Sequence, residues 1–384
     1  MSRPTYAEVD LGAVRDNYRL LRGLVAPHVR MLAIVKADAY GHGAVAVART
    51  LEAEGVDWLG VALAEEGIEL RVAGIRRPIL VMGLLPADEI GAAMEYDLTA
   101  TVDCAATAEE LDRRSAEFAA GRAAHRGRRL AVHLKIDTGM NRLGIRAEEA
   151  ASASEAIRRM GHLDLEGAYT HFACADCEDD GASAEQLVRF KAALAAMRAA
   201  GTLPPVIHAA NSSALIVLPQ AHFDMVRSGL AVYGITPCPA AARVPLRPAL
   251  ALRSAIVHLK PVRRGEGAGY GHRWRAARDS LLGLIPIGYA DGYPRALSEE
   301  GQVRIAGRLA PIAGTISMDA ALVDLTDVGA ATVGMPVALI EADPASPISA
   351  ARVAALCRTI PYEILSGLGK RIPRVYVSPQ YLAP

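Results

Sequence analysis

The segment MLAIVKADAYGHG, residues 31–43, decides the expected fold, because it joins a buried strand to a lysine and a glycine-containing turn. Its apolar run, residues 31–35, is typical of a parallel strand that is buried on both faces. Lys36 ends that strand, where an ammonium group is costly to bury without a partner. Such a lysine can lose its charge and act as a base or form an imine with a carbonyl. The structural alternative is a lysine whose stem lies along the strand and whose ammonium reaches water.

Further strand-like runs follow within the first 245 residues, and helix-like stretches rich in alanine, glutamate and arginine separate most of them. Eight strands with intervening helices predict an α/β fold, the closed (β/α)8 barrel. A doubly wound open sheet is the alternative, but the turn after the first strand lacks its G-x-G-x-x-G pattern. The predicted strands cover residues 31–36, 58–62, 78–82, 98–102, 130–136, 165–171, 206–209 and 224–227.

The character of the sequence changes near residue 245, where several prolines indicate a boundary. Beyond it, short β-rich segments alternate with turn residues, and one helix-like stretch covers residues 349–358. We therefore expect a barrel domain over residues 1–245 and a mostly-β C-terminal domain over residues 246–384. The predicted β segments of the second domain cover residues 251–259, 281–287, 303–305, 320–325 and 337–340.

Charge and composition exclude several classes of partner. Lysine and arginine together number 42, as do aspartate and glutamate, so the formal net charge is zero. This balance argues against nucleic acid or an anionic membrane as a partner. No apolar stretch is long enough for a transmembrane helix, and the first ten residues lack the apolar core of a signal peptide. We therefore expect a cytoplasmic protein whose five cysteines are reduced.

One short cysteine pattern resembles half of a zinc site. Cys174 and Cys177 are three residues apart, and His171 precedes them. A structural zinc site needs a second pair of ligands with similar spacing, and the sequence has none. We therefore expect no metal.

Unusual polar residues recur at the carboxyl ends of the predicted strands, where barrel enzymes place their functional groups. Each has a structural explanation when it is taken alone, such as a core histidine, a paired arginine or a helix cap. Their coincidence at one face of one barrel favours a functional site. The residues are Lys36 and Tyr40 after the first strand, Lys135 and Arg142 at the fifth, His171 at the sixth, Asn211 and Ser212 after the seventh, and Arg227 at the eighth.

The ends of the seventh and eighth strands have the composition of an anion site. Barrels often bind phosphate there through hydroxyls, backbone N–H groups and helix N-termini. The segments at residues 211–213 and 228–230 supply such groups. An imine-forming lysine together with a phosphate site describes a site for pyridoxal 5'-phosphate.

Taken together, these motifs resemble the alanine racemase family. They run in the family's order over nearly the whole chain, and the set is highly specific although no single motif is. The first domain contributes residues 35–43, 135–144, 170–173, 210–213 and 226–229, and the second contributes residues 269–271, 287–295, 317–319 and 361–363.

The resemblance implies a head-to-tail homodimer with shared active sites and a pyridoxal phosphate cofactor bound to Lys36 as an imine. Arg227 would face the pyridine nitrogen, and the family counterpart of His171 contacts both that arginine and a tyrosine from the partner. The cofactor-binding residues implied are Lys36, Tyr40, His171, Asn211, Ser212, Arg227, Gly229, Leu230 and Tyr362.

For the reaction, the resemblance implies an isomerase that interconverts L-alanine and D-alanine and supplies D-alanine for peptidoglycan. Racemisation needs two bases on opposite faces of Cα of the substrate imine, and these would be Lys36 and Tyr270 from the partner subunit. The family pattern further implies Arg142 and Met318 beside the substrate carboxylate, Tyr289 at the entrance, and a carbamylated Lys135 that orients Arg142.

Alternatives remain open at this stage. A broader-specificity or serine racemase of the same family is one; Tyr362 favours alanine, whereas Thr315 stands where many members have arginine. A pyridoxal phosphate carrier protein is another, although carriers are usually a lone barrel. A barrel decarboxylase is a third, but such enzymes place a carboxylate at the Arg227 position. A cofactor-free aldolase is a fourth, but it would give Arg227 no evident role.

Overall fold

The computed structural model describes residues 3–121, 127–176 and 181–378. Within this part of the chain, eight parallel strands close into a barrel, because the last strand pairs with the first in parallel register. The closure confirms the predicted (β/α)8 barrel. Its strands are mostly buried, as expected where helices cover the outside and side chains fill the inside. The barrel strands are Arg30–Ile34, Trp58–Val61, Ile79–Val81, Leu98–Val102, Leu130–Asp137, Leu163–Tyr169, Val206–His208 and Met225–Ser228.

Helices form the outer layer of the barrel. Leu11–Arg22 precedes the first barrel strand and packs against both Ala44–Ala53 and the turn that follows the last strand, so it completes the ring. Its N-cap, Asp10, accepts the N–H of Ala13 at 3.1 Å, which satisfies one of the free N–H groups of the first turn. The outer helices are Leu11–Arg22, Ala44–Ala53, Ala64–Val72, Ile90–Glu95, Ala105–Ala120, Ala150–Arg159, Ala182–Ala199 and Ser212–Val217.

The second domain is mostly β, as predicted, and contains a mixed sheet and a smaller antiparallel sheet. The mixed sheet has the strand order Arg308–Pro311, Gln302–Ile305, Pro336–Ile340, Leu250–Ala255, Tyr6–Asp10 and Arg374–Val377. The smaller sheet contains His258–Val262, Ser280–Ile285 and Ala321–Asp324, and a short hairpin pairs Gly267–Ala268 with Trp274–Arg275. Two helices, Ala350–Leu356 and Pro361–Ser366, precede the last strand.

The start of the chain belongs to the sheet of the second domain. Tyr6–Asp10 pairs antiparallel with Leu250–Ala255 and parallel with Arg374–Val377. The sequence prediction, which assigns residues 1–245 to the barrel, misses this strand. Its partners lie more than 200 residues away along the chain, and a five-residue strand carries no local signal of such pairing.

Several predicted strand boundaries are wrong. The first barrel strand ends at Ile34, so Lys36 lies in the turn beyond it, and the sixth ends at Tyr169, so His171 also lies beyond its strand. The predicted strand at residues 251–259 is two strands in different sheets. Between them the N–H of Ile256 donates to Met335 and that of Val257 donates to Leu284, so the backbone changes partners there.

No helix in the described segments has the length and apolar character needed to span a bilayer.

Candidate active site

Lys36 begins a turn whose backbone is left-handed. Ala37, Asp38, Ala39 and Tyr40 have φ values of 51°, 54°, 53° and 51°. The left-handed conformation costs about 1–2 kcal/mol for each residue that has a Cβ atom. Such strain persists only where the surroundings hold it, and it is concentrated at functional sites.

Contacts from distant parts of the chain hold this turn. Glu66 accepts the N–H of Ala37 at 2.6 Å through Oε1, while its Oε2 accepts two N–H groups at the start of its own helix. Arg374, in the last strand of the second domain, donates from Nε to the carbonyl of Gly41 at 2.9 Å. His42 is fully buried, and its Nδ1 lies 3.0 Å from the carbonyl of Ala39 and 2.9 Å from that of Tyr40. Both domains therefore fix the position of Lys36.

The amine of Lys36 is in an environment that disfavours its charged form. Burial lowers the pKa of Lys36, the positive charge of Arg142 lowers it further, and the negative charge of Glu66 opposes both effects. A lowered pKa increases the fraction of neutral amine, which is the form that attacks a carbonyl or accepts a proton.

Ser212 and Gly229 are hydrogen-bonded to each other at the predicted phosphate site. The hydroxyl oxygen of Ser212 accepts the N–H of Gly229 at 2.8 Å and that of Ala231 at 3.4 Å. Ser212 also begins the helix Ser212–Val217, whose cap Asn211 accepts the N–H of Ala214 at 3.0 Å. The side-chain oxygen of Asn211 is therefore engaged in capping that helix, which is the structural explanation for this residue.

Two tyrosine hydroxyls border the same place. A Cβ atom added at Gly229 would lie 3.0 Å from Oη of Tyr40, so any side chain there would force the tyrosine to shift. The rings of Tyr40 and Tyr362 are 5.5 Å apart in an edge-to-face arrangement. Burial raises the pKa of both hydroxyls, that of Tyr362 to about 12, so both remain O–H donors at neutral pH. Hydroxyl and N–H donors converge here on a position suited to an anion.

Arg227 is fully buried, and most of its donors are paired. Its Nη1 donates to Nδ1 of His208 at 3.0 Å. Its Nη2 donates to the carbonyls of Thr170 at 2.8 Å and Ala209 at 2.9 Å, and lies 3.1 Å from Nδ1 of His171. Its Nε has no hydrogen-bond partner among the described residues.

The unpaired Nε–H of Arg227 needs a hydrogen-bond acceptor at that position. A buried donor without a partner costs about 1–3 kcal/mol, more where the group is charged. Burial lowers the pKa of Arg227 to about 10, so the guanidinium is still protonated at neutral pH. An acceptor with a lone pair, such as an unprotonated ring nitrogen, satisfies this donor.

Lys135 lies in the same positively charged environment. Burial lowers its pKa to about 8, and the charges of Arg142, Arg227 and Lys36 add to this effect. Its Nζ lies 5.5 Å from the ring centre of Tyr169. An amine with this pKa has a substantial neutral fraction near pH 8.

Three of the predicted site residues of the second domain are on the surface of the chain. Tyr270, Tyr289 and Met318 are 73%, 44% and 53% exposed, whereas the barrel residues described above are largely covered. Gly269 and Gly271, with φ values of 70° and 72°, place Tyr270 in a tight turn that needs glycine on both sides. Large apolar side chains exposed in this way indicate a surface that binds a partner.

Several residues that build this site are not among those predicted from the sequence. Glu66 and Arg374 hold the lysine turn, and His208 contacts Arg227. His208 stands within a predicted strand, so its position was visible, but its pairing with the next strand was not. Nothing local in the sequence indicates the contacts of Glu66 and Arg374.

The described residues contain no group of three side chains able to hold a metal ion. Cys177, one member of the cysteine pattern noted in the sequence, lies outside the described residues. The absence of a metal site therefore stays a prediction.

At the carboxyl end of the closed barrel, a lysine of lowered pKa lies near a group of hydroxyl donors suited to an anion. This combination is typical of barrel enzymes that act through a lysine amine. Two family models match this chain, the alanine racemase N-terminal domain over residues 9–237 and the alanine racemase C-terminal domain over residues 249–376. The chain belongs to the alanine racemase family.

Individual relatives are similar in sequence over nearly the full length of the chain. The alanine racemase of Symbiobacterium thermophilum is 42% identical over 97% of both chains, and that of Geobacter sulfurreducens is 43% identical over 98% of both. Among solved structures, alanine racemase from Clostridium difficile 630 superposes with a TM-score of 0.91 at 34% identity, covering 98% of this chain and 96% of that one. The enzyme of the D-cycloserine producer Streptomyces lavendulae has a TM-score of 0.90 at 39% identity, covering 98% and 97%.

Proposed function

We propose that this protein is an isomerase that interconverts L-alanine and D-alanine, using pyridoxal 5'-phosphate bound to Lys36. Full-length relatives named alanine racemase support the reaction. The observation that carries the assignment of the site is the unpaired, fully buried Nε–H of Arg227 in the barrel that also holds Lys36.

The residues present fit the cofactor in three respects. Lys36 supplies an amine of lowered pKa for its aldehyde. The hydroxyls of Tyr40, Ser212 and Tyr362 supply donors for its phosphate, and the N–H of Gly229 would add another if the phosphate replaced the Ser212 oxygen as its acceptor. Arg227 supplies the unpaired N–H for its ring nitrogen. When bound, pyridoxal phosphate withdraws electrons from Cα of the amino acid and makes its proton acidic.

Arg227 sets the strength of that electron withdrawal. A carboxylate at this position keeps the ring nitrogen protonated, whereas a guanidinium only donates and so favours the unprotonated ring. The ring then stabilises negative charge at Cα less well. With the cofactor bound, Arg227 would in this way limit the build-up of negative charge at Cα and suppress side reactions such as transamination.

Two bases on opposite faces of Cα carry the proton. Lys36 Nζ serves one face, and Oη of the partner subunit's Tyr270 serves the other. His171 is suited to assist the tyrosine. Its Nδ1 lies 3.1 Å from Nη2 of Arg227, and because arginine has no acceptor to offer, the proton of the neutral ring belongs on Nε2. Burial and the charge of Arg227 lower the pKa of His171 to about 3, which keeps the ring neutral at working pH. Its Nε2–H is then free to donate to a phenolate.

The second base requires a second chain. A head-to-tail homodimer covers the exposed Tyr270, Tyr289 and Met318 and brings them to the barrel mouth of the other subunit. In this arrangement Arg142 binds the substrate carboxylate with Met318 beside it, and Tyr289 lines the entrance. Carbamylation of Lys135 gives it a negative charge that orients Arg142. D-alanine made in this way serves peptidoglycan synthesis in the cytoplasm.

Tyr362, whose ring lies 5.5 Å from that of Tyr40, favours a small substrate side chain such as the methyl group of alanine. Thr315 supports a second candidate, a racemase of broader specificity. Its hydroxyl donates to the carbonyl of Tyr270 at 3.4 Å, in a place where the family often has a much larger arginine.

The test is a spectrum followed by an assay. The purified protein is expected to be yellow, to lose that colour on dialysis against hydroxylamine, and to convert L-alanine to D-alanine. Colour without racemisation of any amino acid would identify a carrier protein instead. Racemisation by colourless, cofactor-free protein would contradict the assignment of the cofactor.

A further inference from the structure

A line of hydrogen-bonding side chains crosses the barrel interior, and the proposed reaction does not use its distant half. Arg227 donates from Nη1 to Nδ1 of His208 at 3.0 Å. Nε2 of His208 lies 2.8 Å from Nδ1 of His133. Nε2 of His133 in turn faces Oε2 of Glu166 at 3.6 Å. Both histidine rings are fully buried.

The far end of the line lies at the opposite face of the barrel. Glu166 borders a cavity of about 210 Å³ whose other walls include Arg76, Pro78, Asp97 and Arg129. These four residues precede or begin barrel strands, so the cavity is at the amino ends of the strands. The lysine and arginine of the candidate active site are at the carboxyl ends.

The guanidinium dictates the direction of every hydrogen bond in the line. Because arginine only donates, Nδ1 of His208 must accept, and the proton of a neutral His208 is therefore on Nε2. That N–H donates to Nδ1 of His133, so the proton of His133 is also on Nε2. The reverse order would place two N–H groups against each other at Arg227.

Packing prevents either ring from turning to escape this order. The ring of Tyr169 stacks on His208 with centroids 4.7 Å apart and an interplanar angle of 9°. A Cβ atom at Gly167 would lie 2.6 Å from Cε1 and Nδ1 of His133, so glycine on the next strand is what admits this ring. The ring of Trp58 also packs against His133, with centroids 5.3 Å apart.

The last contact of the line, between His133 and Glu166, is longer than the others. Nε2 of His133 is a buried donor with no hydrogen-bond partner among the described residues, and 3.6 Å is too long for a hydrogen bond. The carboxylate of Glu166, about one-third exposed, is the acceptor that this N–H faces.

We propose that Glu166 and His133 are positioning residues for Arg227. Glu166 accepts from His133, His133 accepts from His208, and His208 then presents the lone pair that holds the guanidinium with its Nε–H directed at the cofactor. The tautomers of His133 and His208 follow from this line of hydrogen bonds alone. The effect on the cofactor rests on the proposed function.

The first experiment needs no substitution. Protein labelled with ¹⁵N-histidine, studied by NMR as purified, is expected to show His133 and His208 as neutral rings protonated at Nε2. Signals of His133 or His208 protonated at Nδ1 would overturn the proposal, with or without bound cofactor. If the protein binds no pyridoxal phosphate, the proposed function fails, while these signals still decide the tautomers.

The second experiment measures the dissociation constant for pyridoxal phosphate in matched variants. Glu166→Leu removes the acceptor and is expected to raise this constant about three- to tenfold, whereas Glu166→Gln, which keeps a carbonyl oxygen, changes it by about twofold or less. Asp164→Asn removes an exposed charge two residues away on the same strand and is the control. Equal constants for Glu166→Leu and Asp164→Asn would overturn the proposal.

The third comparison is made at His133. His133→Asn places an amide oxygen near the position of Nδ1 and keeps the acceptor for His208, whereas His133→Leu removes it. We expect the leucine variant to bind pyridoxal phosphate at least about tenfold more weakly than the asparagine variant. Because both variants lose the contact with Glu166, equal affinities would contradict the role of the His208 acceptor.

Discussion

Arg374 donates from Nε to the carbonyl of Gly41 at 2.9 Å, which joins the last strand of the second domain to the turn that begins at Lys36. The other nitrogens of Arg374 donate to the carbonyls of Leu368, Gly369 and Ile372 at 2.7–2.8 Å. One guanidinium therefore satisfies carbonyls of both domains. The left-handed turn of the barrel and the end of the chain are stabilised by the same side chain.

Replacement of Arg374 by methionine should loosen the lysine turn. The substitution leaves several partly buried carbonyls without a donor, and we expect a loss of about 2–4 kcal/mol in the free energy of unfolding. Urea denaturation monitored by circular dichroism measures this loss. Arg352→Met, in an exposed helix position, is the matched control. Equal stability of the two variants would show that Arg374 does not hold the turn.

Gly229→Ala should weaken binding of pyridoxal phosphate. The added Cβ atom would lie 3.0 Å from Oη of Tyr40, which is closer than most Cβ contacts. The tyrosine must shift, and a donor of the phosphate site shifts with it. Equilibrium titration with the cofactor is expected to show about a tenfold rise in the dissociation constant. Adding Tyr40→Phe removes the crowded oxygen, so the double variant should lose less than the sum of the two single losses; strict additivity would refute this explanation.

Arg227→Glu should change the balance between racemisation and side reactions. A carboxylate accepts a hydrogen bond from the ring nitrogen and keeps that nitrogen protonated, which strengthens electron withdrawal. We expect slower racemisation, stronger absorbance at long wavelength during turnover, and more transamination, measured as pyruvate formed from alanine. Arg227→Lys keeps the positive charge and serves as the control. If Arg227→Glu shows neither the absorbance nor the pyruvate, the moderating role of arginine is wrong.

Acid should destabilise the protein through its buried histidines. Burial lowers the pKa of His42 to about 4, whereas an unfolded histidine titrates near 6.5. Between these values the unfolded chain binds more protons than the folded one, so stability rises with pH and is lost as pH falls from 6.5 to 4. The full contribution of His42 is on the order of 3 kcal/mol.

Urea denaturation at a series of pH values measures this contribution. His42→Asn, whose amide N–H can replace Nδ1–H, should show a shallower loss of stability over the same window. An identical slope in the wild-type protein and the variant would exclude His42 as a source of the acid sensitivity. The exposed His258 provides the control substitution, His258→Asn, which should leave the slope unchanged.

The sequence predicted the fold more completely than it predicted which residues build the site. Apolar runs and helical spacing are local signals, and they predicted the barrel and the β-rich second domain correctly. The clustering of Lys36, Arg227 and Ser212 followed from the rule that strand ends meet at one face. The left-handed turn after Lys36 was not predictable, because Glu66 and Arg374 impose it from far along the chain. The pairing of Tyr6–Asp10 with the second domain was missed for the same reason.

A mixture of two variants, each impaired in converting L-alanine, tests the shared site. Lys36→Ala lacks the amine, and Tyr270→Phe lacks the second base and should be impaired chiefly with L-alanine. If each site takes Lys36 from one subunit and Tyr270 from the other, a mixed dimer contains one intact site. Random reassembly of equal amounts makes half of the dimers mixed, each with one of two sites intact, so activity should recover to about one quarter of wild type. The racemisation rate after co-refolding measures this recovery. A site completed within one chain predicts no recovery at all, because every chain then carries one defect.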